Sequence, residues 1–285
     1  MTISNENTVV IVGLGMLGAS YAKALKKKGF YIIAIDINED NISYALSEGF
    51  IDEGYTSPEP QALCRGDIVV FALYPRVFVS WIKENQQYLK SGAYLTDVTG
   101  IKTKVVELVQ SELRDDLEFI AAHPMAGREG VGIRQSDETL FASANYVVTP
   151  SEKNTPQAVE FCKEFGRLLG FGNIIVTTPE EHDEKIAFLS QLTHCIAVAL
   201  MASGGEEDLV DFTGDSFRDL TRIAKINENL WSELFVLNKT ALLKEMDRFE
   251  KTFHELYDMI ENEDTESMKE MMRLSTYRRG LFDKK

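Results

Sequence analysis

The feature that most constrains this chain is a run of six residues, Gly13-Leu14-Gly15-Met16-Leu17-Gly18, set between the apolar run Thr8–Val12 and an amphipathic stretch that ends near Lys28. Glycines at this spacing, after a strand and ahead of a helix, meet three separate demands. Gly13 permits a tight turn, Gly15 lets backbone approach a pyrophosphate, and Gly18 lets helix and strand pack closely. Leu14, Met16 and Leu17 complete the loop, and the helix N-terminus presents free N–H groups to an anion. In this context the pattern predicts a dinucleotide-binding βαβ unit.

The next apolar run, Tyr31–Ile35, ends at Asp36, eighteen residues beyond Gly18. A carboxylate there accepts hydrogen bonds from the adenosine ribose hydroxyls. A 2′-phosphate would meet like charge, and Ile37-Asn38-Glu39 offers no arginine to neutralise it. The expected cofactor is therefore NAD. The competing use of Asp36 is as a cap for the following helix. Leu73, which closes the apolar run 68–73, is counted with the cofactor-binding residues.

Strand-like runs continue as DIVVFAL, AYLTDV, LEFIAA, NYVVT and NIIVTT, mostly separated by helical or turn-rich segments. Residues 68–73 are apolar throughout instead of alternating, as expected for a parallel sheet covered on both faces. The fold class is α/β: a Rossmann-type, doubly wound, mostly parallel sheet. After Thr178 no further strand-like run occurs and apolar residues recur at helical spacing. The expected organisation is a nucleotide-binding domain at 1–178 and an all-α domain at 179–285. Pro179 suits a first helical turn, and Glu180, Glu181 and Asp183 suit its positive end.

With 45 acidic against 30 basic residues, the formal charge of −15 disfavours nucleic acid and anionic membranes as partners. Three cysteines without a CxxC pair fit a reducing cytoplasm and suggest no metal site. The N-terminus lacks the flanks of a signal peptide. Residues 186–205 carry no charge over a length that spans a bilayer, yet include Ser190, Gln191, Thr193 and His194. They are read as a buried helix, apolar enough all round to serve a dimer interface.

The segment Ala121-Ala122-His123-Pro124-Met125-Ala126-Gly127-Arg128-Glu129 follows the strand expected at 117–120, beyond whose carboxyl end chemistry belongs. A neutral imidazole at His123 takes a proton near pH 7. This segment, Thr96-Asp97-Val98-Thr99-Gly100-Ile101-Lys102, Ser190-Gln191-Leu192-Thr193-His194 and Phe217-Arg218-Asp219-Leu220-Thr221-Arg222-Ile223-Ala224 together resemble the prephenate dehydrogenase family. Four ordered matches and the glycine fingerprint cover nearly the whole chain.

The resemblance implies NAD-dependent oxidative decarboxylation of prephenate to 4-hydroxyphenylpyruvate in tyrosine biosynthesis. His123 is then the base that takes the ring-hydroxyl proton. Arg222, and after it Arg218, would receive the substrate carboxylates, since guanidinium binds carboxylate bidentately. His194 is a substrate contact or a core histidine. Glu129 matches a position associated with the pocket and its gating, and Trp231 matches an aromatic that approaches a partner subunit's site, or else packs in the core. Two residues depart from the family pattern: Gly100 stands where serine is frequent, and Gln191 where histidine is frequent. Thr99 is the hydroxyl expected to replace the missing serine beside His123. The uncharged helix and the apolar later helices suggest a homodimer through the helical domain, and the extent of the chain is expected to leave no room for an appended regulatory or mutase domain. Prephenate and arogenate are not distinguished by these residues.

Overall fold

The computed structural model describes residues 3–127, 132–204 and 207–283. In chain order β1 (Thr8–Val12), α1 (Met16–Lys26), β2 (Tyr31–Ile35), α2 (Glu39–Ser47), β3 (Glu53–Tyr55), α3 (Pro60–Leu63), β4 (Ile68–Phe71), α4 (Pro75–Asn85), β5 (Tyr94–Asp97), α5 (Thr103–Glu112) and β6 (Glu118–Phe119) build a parallel sheet ordered β3-β2-β1-β4-β5-β6. The central strands are apolar throughout because alternate residues enter two cores. Val9, Ile11, Ile68 and Val70 face one, and Val10, Val12, Val69 and Phe71 face the other. Strand order reverses between β1 and β4, which opens a crevice at their carboxyl ends.

After β6 the chain leaves this sheet. β7 (Ala121–Pro124), β8 (Asn145–Thr149), α6 (Pro156–Leu169) and β9 (Asn173–Val176) form a second, three-stranded sheet, antiparallel between β7 and β8 and parallel between β8 and β9. The run expected as one strand is thus split. His123 does not lie in a loop past a strand end but within β7, opposite Val147.

The helices begin at Pro179 as expected. Thr178 caps α7 (Pro179–Ile186), its hydroxyl accepting from the Glu181 N–H at 3.1 Å. A π-helical turn (Ala187–Leu192) leads into α8 (Thr193–Ser203), followed by α9 (Asp215–Thr221), α10 (Glu228–Leu237), α11 (Lys239–Glu261) and α12 (Thr265–Gly280). By compactness the chain divides at a different point, into Met1–Asn238 and Lys239–Lys285.

The expectation that the uncharged helix is buried does not hold within one chain. Pro179–Ser203 is long and apolar enough to cross a membrane, but only 28% of its apolar window is buried. Its first half packs inward through Ile186, Ala187, Gln191 and Leu192, whereas Phe188, Leu189, Leu200 and Met201 are exposed. Burial of such a face depends on what covers it, which a single chain does not supply.

The open edge of the large sheet is guarded. Glu53 of β3 accepts from the hydroxyls of Tyr31 and Tyr55, each at 2.6 Å, and from both terminal nitrogens of Arg65. The Arg65 guanidinium and the two phenols hold the Glu53 carboxyl down at about 2.

In the second unit α11 and α12 form a hairpin. The Asp264 N–H donates to Met259 O at 2.8 Å and the Glu263 N–H to Ile260 O at 3.2 Å, so Glu263 occupies the left-handed position of a helix C-terminal motif, with φ 54°. A side chain is strained there. Glu263→Gly should stabilise the hairpin by about 1 kcal/mol, seen as slower amide hydrogen exchange across α11 and α12; equal or faster exchange would contradict it.

Candidate active site

The crevice begins with backbone that only glycine permits. Gly13 has φ +96°, and a Cβ on it would stand 2.5 Å from Ala72 O; one on Gly18 would stand 1.9 Å from Gly13 O. Leu73, at the carboxyl end of β4, lies against Gly13. A Cβ on Gly15 meets nothing within 4 Å, so the protein itself does not require glycine at that position. Gly15 is also the cap residue of α1, so the N-terminus of this helix has no side-chain cap. These residues fit a pyrophosphate drawn onto helical N–H groups. Asp36 accepts from the Leu14 N–H at 2.5 Å, the Asn38 N–H at 2.8 Å and Asn41 Nδ2 at 3.3 Å. It does not cap α2: that is done by Asn38, which accepts from the Asp40 N–H. Its carboxylate is instead fixed against the glycine turn.

Two of the four histidines meet at the base of the site. His123 Nδ1 lies 2.8 Å from His182 Nε2, and His182 Nδ1 lies 2.7 Å from Asp183 Oδ1. Asp183 is held in turn by the backbone N–H groups of Lys102 at 2.9 Å and Thr103 at 2.8 Å, at the start of α5. The tautomers follow from the carboxylate. Asp183 accepts from His182 Nδ1–H, which leaves His182 Nε2 to accept from His123 Nδ1–H. The lone pair of His123 is then at Nε2. Burial, reinforced by His182 and the Lys102 cation, pushes His123 well below the ordinary histidine range, and burial also lowers His182.

Gly100 stands beside this imidazole: a Cβ there would lie 3.8 Å from His123 Nε2 and 3.7 Å from the Leu234 side chain. Thr99 does not replace the missing serine. Its buried hydroxyl donates to Asp97, lies 3.0 Å from Ile101 O and 3.3 Å from Lys102 Nζ, and the partner of His123 is His182 instead.

The other departure is also structural. Gln191 is 1% exposed, donates to Leu234 O at 3.0 Å and accepts from Asn238 Nδ2 at 2.8 Å. Helix α10 is further tied to the crevice by Glu233, which accepts from the Arg76 N–H at 2.6 Å, and by Asn227, which donates to the Tyr74 hydroxyl at 2.9 Å. His194 donates through Nδ1 to Ser190 O at 2.8 Å and stacks on Trp231 of the same chain, with ring centres 3.6 Å apart. Arg218 is exposed and turns to Asp215 at 3.2 Å and to Thr213. Arg222, also exposed, begins a 3-10 turn packed against α8, so the α-helix that carries Arg218 ends before it and the two share no regular helical face. Glu129 and its neighbour Arg128 lie outside the described residues.

Three residues of the site are not evident from the sequence. His182 stands in no motif, Asp183 reads there only as a favourable charge at a helix start, and Lys102 only as part of the TDVTGIK segment. The adjacency of His182 and Asp183 in a first helical turn is the available signal, and a weak one.

A glycine turn at the switch point of a parallel sheet, together with a histidine pair braced by a carboxylate, is the equipment of an NAD-dependent oxidoreductase. Within that class the comparisons are specific. Residues 21–186 match the nucleotide-binding domain of prephenate dehydrogenase and residues 178–274 match its dimerization domain. The chain belongs to the prephenate dehydrogenase family. Prephenate dehydrogenase of Bacillus subtilis is 30% identical over 97% of this chain and 76% of its own length. A solved prephenate dehydrogenase from Aquifex aeolicus, in complex with hydroxyphenyl propionate and NAD+, has a TM-score of 0.90 at 30% identity, covering 99% of both chains. Synechocystis arogenate dehydrogenase gives 0.83 at 26% identity, covering 97% of this chain and all of its own.

The glycines separate two kinds of constraint. Gly18→Ala, whose Cβ would meet backbone, should lower the melting temperature and abolish NAD binding together. Gly15→Ala should melt like the native protein but bind NAD at least about tenfold more weakly, because the added methyl stands where pyrophosphate approaches. Calorimetric titration with NAD and a thermal melt of each variant check this; native affinity in Gly15→Ala would refute the placement.

Proposed function

We propose that the protein catalyses NAD-dependent oxidative decarboxylation of prephenate to 4-hydroxyphenylpyruvate, in the cytoplasm and in the service of tyrosine biosynthesis. The observation that carries the reading is the hydrogen-bonded sequence Asp183–His182–His123, which leaves a neutral Nε2 lone pair at His123 beside Gly100. Bound NAD supplies the hydride acceptor. His123 accepts the proton of the ring hydroxyl at Nε2, and its Nδ1–H stays on His182, so the new positive charge is shared along a path that ends at the Asp183 carboxylate. Electrons from the breaking bond to the ring carboxylate enter the ring as carbon dioxide leaves, and the ring oxygen, left as a phenolate, takes the proton back from His123. Aromatisation makes the step effectively irreversible, so the protein needs mainly orientation and a base.

The cradle of Gly13, Leu14, Gly15, Met16, Leu17, Gly18 and Leu73 holds the cofactor in this reading, and Asp36 selects NAD over its 2′-phosphorylated form. Arg222 and Arg218 supply the positive charge that a dianionic substrate needs against a net −15. His194 meets substrate through Nε2, because its Nδ1 is committed to Ser190 O. Glu129 is assigned to the gate of the pocket. The exposed apolar face of Pro179–Ser203 is covered by a second copy of the chain, giving a homodimer. Its polar residues favour that over lipid: Gln191 is buried in hydrogen bonds and His194 is stacked on Trp231.

A second reading rests on the arogenate dehydrogenase among the similar structures. Arogenate carries an amino group where prephenate has the side-chain keto group, and the base works alike on both. Steady-state kcat/KM for prephenate and for arogenate, each with NAD and with NADP, decides: prephenate with NAD should lead, and preference for arogenate would replace the substrate.

His123→Asn should lower kcat by about 10²–10⁴ with NAD affinity unchanged. In the wild type kcat should fall only as pH drops below the ordinary histidine value, because burial lowers His123 and protonation of Nε2 removes the base. A variant with native kcat and an intact acid limb would assign the base elsewhere. Arg222→Ala should raise KM for prephenate, at about 1.5–3 kcal/mol per lost charge-assisted hydrogen bond; native KM in a folded variant would remove it from the site.

A further inference from the structure

The Asp97–Lys102 pair is completely buried, both side chains being 0% exposed, with Nζ to Oδ2 at 2.7 Å. Burying two charges is costly, and apolar residues of similar volume commonly stabilise a fold as well or better. The contacts of the pair point to another use. In an antiparallel ladder the N–H and C=O of one residue point to the same side, and neighbouring residues alternate. Along β7 the groups of Ala122 face away from β8. There its N–H donates to Asp97 Oδ1 at 3.2 Å and its C=O accepts from Lys102 Nζ at 2.6 Å. Ala122 immediately precedes His123. The main chain of Lys102 also holds the other half of the relay, since its N–H and that of Thr103 fix the Asp183 carboxylate to which His182 is bonded.

We propose that the Asp97–Lys102 pair is a positioning device for the base. It takes the place of a neighbouring strand along one side of β7, and thereby sets the distance and angle at which His123 meets His182. The proposal rests on the reading of His123 as the base. Lys102 is a positioning residue: its side chain fixes the strand that carries His123, and its backbone fixes the anchor of His182. The charged and titratable groups around the imidazole are Asp97 from β5, Lys102 ahead of α5, and His182 and Asp183 from α7, with Cys162 of α6 acting on Lys102. Of these, the Lys102 cation helps to keep His123 neutral. Loss of the pair should therefore move the acid limb of kcat to higher pH as well as lower the rate.

The test is the double variant Asp97→Asn with Lys102→Met in the full-length protein. It removes both charges, leaves neither one buried alone, and keeps an acceptor for the Ala122 N–H. The expected variant melts near the native temperature, binds NAD normally and keeps KM for prephenate within about threefold. Its kcat falls about ten- to a hundredfold, as for a misplaced catalytic group, and its acid limb rises. A readout without turnover accompanies it. In histidine-labelled protein the ring-nitrogen signals should report fixed Nδ1–H forms of His123 and His182 in the wild type, and averaged forms in the variant. Should the double variant not fold, Lys102→Gln, which keeps a donor without the charge, takes its place in the same measurements. A folded variant with native kcat, an unmoved acid limb and fixed tautomers would reduce the pair to packing. Failure of the wild type to turn over prephenate or arogenate would instead remove the proposed function, and the ring-nitrogen signals would still decide whether the pair orders the two histidines.

Discussion

A carboxylate with no access to water must have its charge and lone pairs answered by the protein, and Asp97 imposes that demand at the carboxyl end of β5. It is met by the Thr99 N–H at 3.0 Å, the Thr99 hydroxyl, Lys102 Nζ and the Ala122 N–H. To deliver these donors the chain after Asp97 curls back on itself. That curl brings Gly100 beside His123 and aims the first N–H groups of α5 at Asp183. The TDVTGIK segment, which by resemblance promised a hydroxyl for chemistry, thus serves first to satisfy a buried charge.

The site is assembled from distant stretches of chain. The His123–His182 contact joins residues 59 apart, and the Lys102–Asp183 contact residues 81 apart. Helices up to α10 are consequently part of the same compact unit as the parallel sheet, although the strand pattern ends before Pro179. The two family matches overlap at residues 178–186, the stretch that carries His182 and Asp183. Lys102, His123, His182 and Asp183 all lie within the first match, although the last two stand on a helix that follows the final strand.

What can be read from the sequence is what short-range physics determines. The glycine turn, the apolar central strands and the capped start of α7 each depend on a few consecutive residues, and each is present. Strand β3 gives no sign of itself because Glu-Gly-Tyr has no apolar run, and the break between β6 and β7 gives none because LEFIAA reads as one run and the His-Pro end of β7 resembles a loop. His182 is silent because its significance comes from a partner far along the chain. Thr99 misleads for a related reason: spacing places a hydroxyl near the histidine, while the direction of that hydroxyl is set by a buried carboxylate. The uncharged helix marks the remaining limit, since its composition reports that a face must be covered without saying which molecule covers it.

The guarded edge of the large sheet has a consequence of another kind. An unpaired edge strand is a template onto which a strand of another molecule can add, the first event in many aggregation routes. On β3 that edge carries Glu53 bound to Tyr31, Tyr55 and Arg65. Because the Glu53 carboxyl is held down at about 2, the ion pair persists in acid strong enough to discharge ordinary carboxylates. This charged cluster thus sits on the strand that an incoming strand would have to join, in a chain whose formal charge of −15 already keeps its molecules apart.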